Sequence, residues 1–253
     1  MSGKLYGIGL GPGDPELLTL KAVRLLRSVP VIAWPAPDIG DSFARSIAAP
    51  HLPGDQIEIA IRMPMRVERF PAQEVYDWAA KEVSRHLDGG RDVAVLCEGD
   101  PFFYGSFMYL FERLAGRYKA EIVPGVSSIM AAACAAQRPL SARNDVMTII
   151  PGPLPDDEIL ARLAHSQSAV IMKVGRHFAR IKALIDAAGL MANAIYAERV
   201  SLREERVMPL ADTTDDSAPY FSMILIYSGS ENWTKKSKIQ NKSGRNQSAG
   251  DAI

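Results

Sequence analysis

The stretch YGIGLGPGDPELL, Tyr6 to Leu18, constrains the chain more than any other. Gly7, Gly9, Gly11 and Gly13 follow a short apolar start at every second position, and an acid–proline pair closes the run. A strand that passes through glycines into a helical pattern reads as the first unit of an α/β fold. Such loops commonly cradle phosphate. This one fits neither standard phosphate pattern. Framed at Gly7, the G-x-G-x-x-G spacing puts Pro12 third; framed at Gly9, it puts Asp14 third. The acid expected about 20 residues on, at the end of the second strand, is replaced by AWPAP. No G-x-x-x-x-G-K-[ST] loop occurs either. Asp14 reads as a helix N-cap, with Pro15 at the first helical position and Glu16 at the second. Two carboxylates at the positive end of a helix disfavour pyrophosphate and tolerate a cationic or neutral ligand. The other reading is that the glycines only permit a tight turn, and the loop alone does not separate the two.

The pattern then repeats. KLYGIGL, PVIAWP and DVAVLC read as strands of a first unit, PVIAWP being stopped by Pro35 and Pro37. PELLTLKAVRLLRSV, DSFARSIAAPHL and QEVYDWAAKEVSRHLDGG read as helices, and another begins near Tyr104. AEIVPG, VMTIIPG, SAVIMKVG, NAIYAERV and YFSMILIYSG read as further strands, with helices over SSIMAAACAA, DDEILARLAH and RHFARIKALIDAAG. The expected architecture is two α/β domains, 1–116 and 117–227. The segment 228–253 is rich in Lys, Ser, Asn, Gln and Gly, too polar to offset its ordering entropy, and is expected to be disordered or an added extension.

Composition bounds the partners. Lys plus Arg number 29 and Asp plus Glu number 29, which argues against a large nucleic-acid or membrane surface. No apolar run approaches the ~18 residues of a membrane span, so a cytoplasmic protein is expected. Cys97 and Cys134 both sit among apolar neighbours and read as buried free thiols. The four histidines show no metal-ligand spacing, and no metal is expected.

Two further turns resemble the first in chemistry. CEGDPFFYG places Glu98, Gly99, Asp100 and Pro101 at the end of a strand, and VPGVSS does the same for Pro124, Gly125, Ser127 and Ser128. Ligands of open α/β sheets bind at carboxyl ends of strands. Each turn alone could be a capped helix start. Together they offer backbone groups, hydroxyls and carboxylates without a basic clamp. That suits a cationic, zwitterionic nucleoside such as S-adenosylmethionine.

GIGLGPGDPELLTLKA, LCEGDPFFYGSF, PGVSSIMAAA, IMKVGRH, ERVSLREERVMPL and APYFSMILI resemble, in order and spacing, the tetrapyrrole methylase family, from about Lys4 to Tyr227. The resemblance implies a homodimer of subunits, each of two α/β domains with a ligand cleft between them that binds S-adenosylmethionine. It carries cofactor contacts to Pro12, Gly99, Asp100, Phe103, Ser127, Ser128, Met172 and Ser201. EGDPFFYGSFMYLFERL and ARSIAAPHL look most like the branch that methylates C20 of precorrin-2, a small-molecule tetrapyrrole. The cobalt-loaded substrate, uroporphyrinogen III and ribosomal RNA are the alternatives within the family, and a non-catalytic nucleotide-binding module is the alternative outside it. A polycarboxylate substrate needs a local basic trough, for which Arg45, Arg62, Arg66, Arg69, Arg138 and Arg143 are candidates, with Tyr104 beside the second turn. Solvated surface arginines are the competing reading. Glu98, Asp100 and Tyr104 lie in the right turn for proton transfer, but capping or cofactor contact is the favoured reading of each, and no general base is assigned.

Overall fold

A computed structural model describes residues 1–63 and 70–229; the tail from 230 onward, and Arg66 and Arg69 of the basic cluster, lie outside the described residues. The first sheet contains β1 (Leu5–Gly9), β2 (Val31–Pro37), β3 (Ile57–Met63), β4 (Val93–Cys97) and β5 (Ala120–Val123), all parallel, in the order β3-β2-β4-β1-β5. The second contains β6 (Met147–Pro151), β7 (Ser168–Met172), β8 (Ala194–Glu198), β9 (Arg206–Pro209) and β10 (Ser222–Tyr227), in the order β6-β7-β10-β8-β9. Only β6 and β7 run parallel there; β10 is antiparallel to both neighbours.

Both faces of each sheet are covered, so the strands are nearly continuous apolar runs. Along β1 the side chains alternate. Leu5 faces α3 (Phe70–Asp88) and α4 (Phe107–Leu114), whereas Tyr6 and Ile8 face α1 (Leu20–Leu26) and α2 (Phe43–Ala48). In the second sheet Ile171, Tyr196 and Ile224 pack on α6 (Asp156–Ala164) and α7 (Phe178–Ala187). Val170, Ile195 and Leu225 pack on α5 (Ser128–Ala135). No helix among the described residues is long and apolar enough to cross a membrane.

Several expectations change. The two-domain α/β architecture holds, but β5 pairs with β1, so the first sheet extends past the expected boundary at residue 116 to Val123. The first helix is broken: a 3-10 turn at Pro15–Leu17 ends before Thr19, whose hydroxyl caps α1 by accepting from the Ala22 amide. The strand β2 is not stopped by Pro35 and ends only at Pro37. It pairs with β4 only through Ala33 and continues along β3 to Pro37, so Pro35 and Pro37 stand where the strand has a single partner. The strands β3 and β9 are additions to the expected set; IEIAIRM mixes charge into its apolar residues, and RVMP is too short for a pattern to register. Cys97 is buried as expected, but Cys134 lies exposed on α5.

Candidate active site

The strand order explains why three turns far apart in sequence share one chemistry. The strands β4, β1 and β5 are adjacent and parallel, so their carboxyl ends, and the loops that leave them, lie side by side. The loops are joined directly. Gly11 and Gly99 exchange backbone hydrogen bonds, at 3.2 Å from the Gly11 amide and 2.8 Å from the Gly99 amide. Both have positive φ, 78° and 63°. A Cβ on Gly9 would lie 2.5 Å from the Gly125 nitrogen, and one on Gly125 would lie 2.0 Å from the Gly99 carbonyl oxygen. Gly11 and Gly99 therefore serve the left-handed turns that bring the loops together, and Gly9 and Gly125 serve close contact between loops. Gly7 has the same role lower in the strand, where a Cβ would enter the Phe107 ring at 2.4 Å.

Asp100 ties the second loop to the third. Its Oδ1 accepts from the Phe102 amide at 2.9 Å, and its Oδ2 accepts from the Gly125 amide at 3.1 Å. Ser127 caps α5 by accepting from the Ile129 amide at 3.3 Å, and Ser128 opens that helix. In the first loop Asp14 caps the 3-10 turn as expected, accepting from the Glu16 amide at 2.8 Å. Pro12 is buried.

The turn between β8 and β9 of the second sheet meets the first loop. Ser201 Oγ accepts from the Asp14 amide at 3.2 Å, and Leu202 lies against Gly13. Phe103, from the second loop, packs on the core between α5 and the second sheet, as does Met172 at the end of β7. Phe43 of α2 meets Phe221 with ring centroids 4.8 Å apart. Thus the eight positions expected to hold a cofactor fall on the three loops, on α5, at the end of β7 and, for Ser201, in the turn after β8.

The arginines divide differently. Arg45 donates to Glu58 at 2.8 Å and lies over the Trp34 ring. Arg62 sits on the edge strand β3 and donates to the carbonyls of Pro37 and Asp38. Arg138 is buried and donates to the Tyr227 carbonyl at 3.1 Å. Sequence patterning missed Lys173, whose ammonium lies 4.8 Å from the centroid of the Tyr104 ring. It adjoins Met172 in the IMKVG motif, the signal by which it could have been found.

The electrostatics favour a cation. Leu10–Leu17, Glu98–Tyr104 and Pro124–Ser128 contain no lysine or arginine but include Asp14, Glu16, Glu98 and Asp100. Glu98 stands where β4 enters its loop. Burial raises its carboxyl above the usual carboxylate range, partly countered by hydrogen bonds from its own amide and that of Ala44.

Residues 4–213 match the model of the tetrapyrrole (corrin/porphyrin) methylases. The chain belongs to this family. Among the methylases it is 42% identical over 235 residues to the cobalamin biosynthesis protein CobIJ of Mycobacterium bovis, covering 90% of this chain and 46% of that protein. It is 39% identical over 232 residues to the precorrin-2 C(20)-methyltransferase of a Sinorhizobium species, covering 88% of this chain and 95% of that relative. The chain thus spans about half the length of the CobIJ relative but nearly all of the second. Its fold is similar to the native crystal structure of uroporphyrin III C-methyl transferase from Thermus thermophilus, with a TM-score of 0.64 at 25% identity over 88% of this chain and 97% of that one. Membership of the methylases agrees with the failure of the dinucleotide pattern: the loops are braced against one another, not opened around a pyrophosphate.

Proposed function

We propose that this chain is an S-adenosylmethionine-dependent C-methyltransferase that methylates C20 of precorrin-2 to give precorrin-3A, working as a cytoplasmic homodimer. The observation that carries the reading is the junction of three loops at adjacent strand ends, braced by Asp100 and closed by Ser201 from the second sheet. The Sinorhizobium relative, matched over almost its full length, points to the substrate.

The residues fit such a donor. Pro12, Gly99, Asp100, Phe103, Ser127, Ser128, Met172 and Ser201 would line its site, where acidic side chains suit a sulfonium and no basic clamp awaits a phosphate. When bound, S-adenosylmethionine supplies a methyl group on positively charged sulfur. The protein's contribution is chiefly alignment of donor and acceptor, a source of up to ~7–11 kcal/mol of barrier lowering in favourable cases. The Asp100 bridge and the Gly9–Gly99–Gly125 contact hold the loops together through the protein's own groups, which limits the ordering that binding requires. The meso carbon of a reduced tetrapyrrole is enamine-like and needs little activation. The proton that leaves it passes to water or to a carboxylate, and Glu98 stands at the strand end with its proton affinity raised by burial.

Labelled S-adenosylmethionine is incubated with the protein and precorrin-2, cobalt-precorrin-2 or uroporphyrinogen III. One methyl group added to precorrin-2 and mapped to C20 by NMR is the expected result. Methylation of uroporphyrinogen III but not of either precorrin-2 form would overturn the reading.

A further inference from the structure

Tyr104 and Lys173 come from opposite sides of the candidate site. Tyr104 follows Phe103 in the loop after β4, and Lys173 follows Met172 at the end of β7. Both side chains are exposed, with the Lys173 Nζ 4.8 Å from the Tyr104 ring centroid. Both also hold left-handed backbone, at φ 56° and 57°. That region is unfavourable for long side chains and persists where the surroundings impose it, most often at ligand sites. The surroundings do impose it here: Phe103 and Met172, the residues just before, are both packed on the core of the second sheet.

Lys173 makes no ion pair among the described residues, and the ring beneath it attracts the ammonium without neutralising it. Of the arginines offered by sequence for substrate carboxylates, three are already engaged: Arg45 by Glu58, Arg62 by two carbonyls, Arg138 by the Tyr227 carbonyl. A tetrapyrrole with carboxylates around its rim needs a cation at the mouth of the site, and Lys173 stands there uncommitted.

We propose that Lys173 binds a peripheral carboxylate of the tetrapyrrole, with the Tyr104 ring as the rest that holds its ammonium in place. This rests on the function proposed above. The residue would set specificity for an anionic macrocycle and leave the methyl donor's affinity to the loops.

Two measurements test it. The first is steady-state methylation of precorrin-2 by K173M, K173R and Y104L. K173M is expected to raise KM for the tetrapyrrole about tenfold, the worth of one charge-assisted contact. The loss should fall in KM, with the affinity for S-adenosylmethionine by calorimetry unaltered. K173R should recover most of it, and Y104L should raise KM about threefold. The second measurement needs no turnover: quenching of protein fluorescence by uroporphyrin III, a stable polycarboxylate macrocycle, should show K173M binding about tenfold more weakly at low salt, with less dependence on salt than the native protein. Unchanged macrocycle affinity in K173M overturns the inference, as does a loss confined to S-adenosylmethionine. A native protein that binds uroporphyrin III through Lys173 but leaves precorrin-2 unmethylated defeats the proposed function and upholds this contact.

Discussion

Asp100 Oδ2 accepts the backbone N–H of Gly125 at 3.1 Å, binding the loop after β4 to the loop after β5. With Oδ1 on the Phe102 amide, both carboxylate oxygens are occupied by the protein itself. A residue assigned to the cofactor by its motif is therefore also the brace of the site. Asp100→Ala is expected to lower both stability and S-adenosylmethionine affinity, the former by about 1–3 kcal/mol because a part-buried amide loses its acceptor. Asp100→Asn, which keeps one acceptor, should lose less of each. Urea unfolding and calorimetric titration would check this; an alanine variant that loses affinity at native stability would show the brace to be unimportant.

Gly125 and Gly116 make a contrasting pair. A Cβ at Gly125 would stand 2.0 Å from the Gly99 carbonyl oxygen, whereas one at Gly116 meets nothing within 4 Å. Gly125→Ala should cost about 3 kcal/mol, at the upper end of overpacking penalties, and abolish donor binding as the loops separate. Gly116→Ala should be neutral or stabilise by about 0.4–1 kcal/mol through the unfolded chain. Thermal unfolding of the two variants decides it.

The buried carboxyl of Glu98 makes a prediction about pH. Its folded pKa is raised by burial, so ionisation costs more in the native state than in the unfolded chain. The native protein binds this proton more tightly, and the residue's contribution is most favourable below the unfolded pKa, near 4.5, and declines as pH rises through the raised value. Glu98→Gln should therefore be more stable than the native protein at neutral pH, the difference vanishing in acid. If turnover falls as stability rises, the carboxyl is kept for function. Equal stability of the two at pH 7 would contradict the burial argument.

Glu121 has the opposite sign. Lys21 and then Lys4 hydrogen-bond its carboxylate and hold its pKa down at about 2, below the ordinary value of 4.5. That contribution is present above about pH 4.5 and is lost as pH falls toward 2. Both lysines are exposed and Glu121 is part-exposed, so solvent and salt reduce the effect to about 1 kcal/mol or less. Glu121→Gln should flatten the acid limb of the stability curve at low salt, with the difference shrinking in high salt. Denaturant midpoints measured from pH 2 to pH 6 would show it.

The local grammar of the site is legible in the sequence. Asp14 caps its turn, Ser127 caps α5, and CEGDPFFYG and VPGVSS do leave the ends of strands. Less is legible where a residue's role depends on a partner distant in sequence. Arg45 and Arg62 read as free cations in the sequence, yet the fold sets Glu58 beside one and the carbonyls of Pro37 and Asp38 beside the other. Lys173 is marked only by its place in IMKVG, and its aromatic partner is in the other half of the chain. The short edge strand β9 and the charged strand β3 carry too little apolar periodicity to be distinguished from loops.

By itself, the sequence determined that Tyr6–Leu18 would be a strand, a tight glycine turn and a carboxylate-capped helix start unsuited to pyrophosphate. Capping, glycine conformation and hydrophobic period are local properties, and adjacent residues suffice to set them. Only the tertiary structure decided what the glycines are for. The order β3-β2-β4-β1-β5 places three loop-bearing strands side by side, and at that spacing Gly9 and Gly125 are the residues small enough for the loops to touch, while Gly99 supplies the left-handed turn that brings its carbonyl against Gly125. Strand order follows from the burial of whole sheet faces against α1 to α4, a sum over many distant contacts that no single stretch of sequence contains.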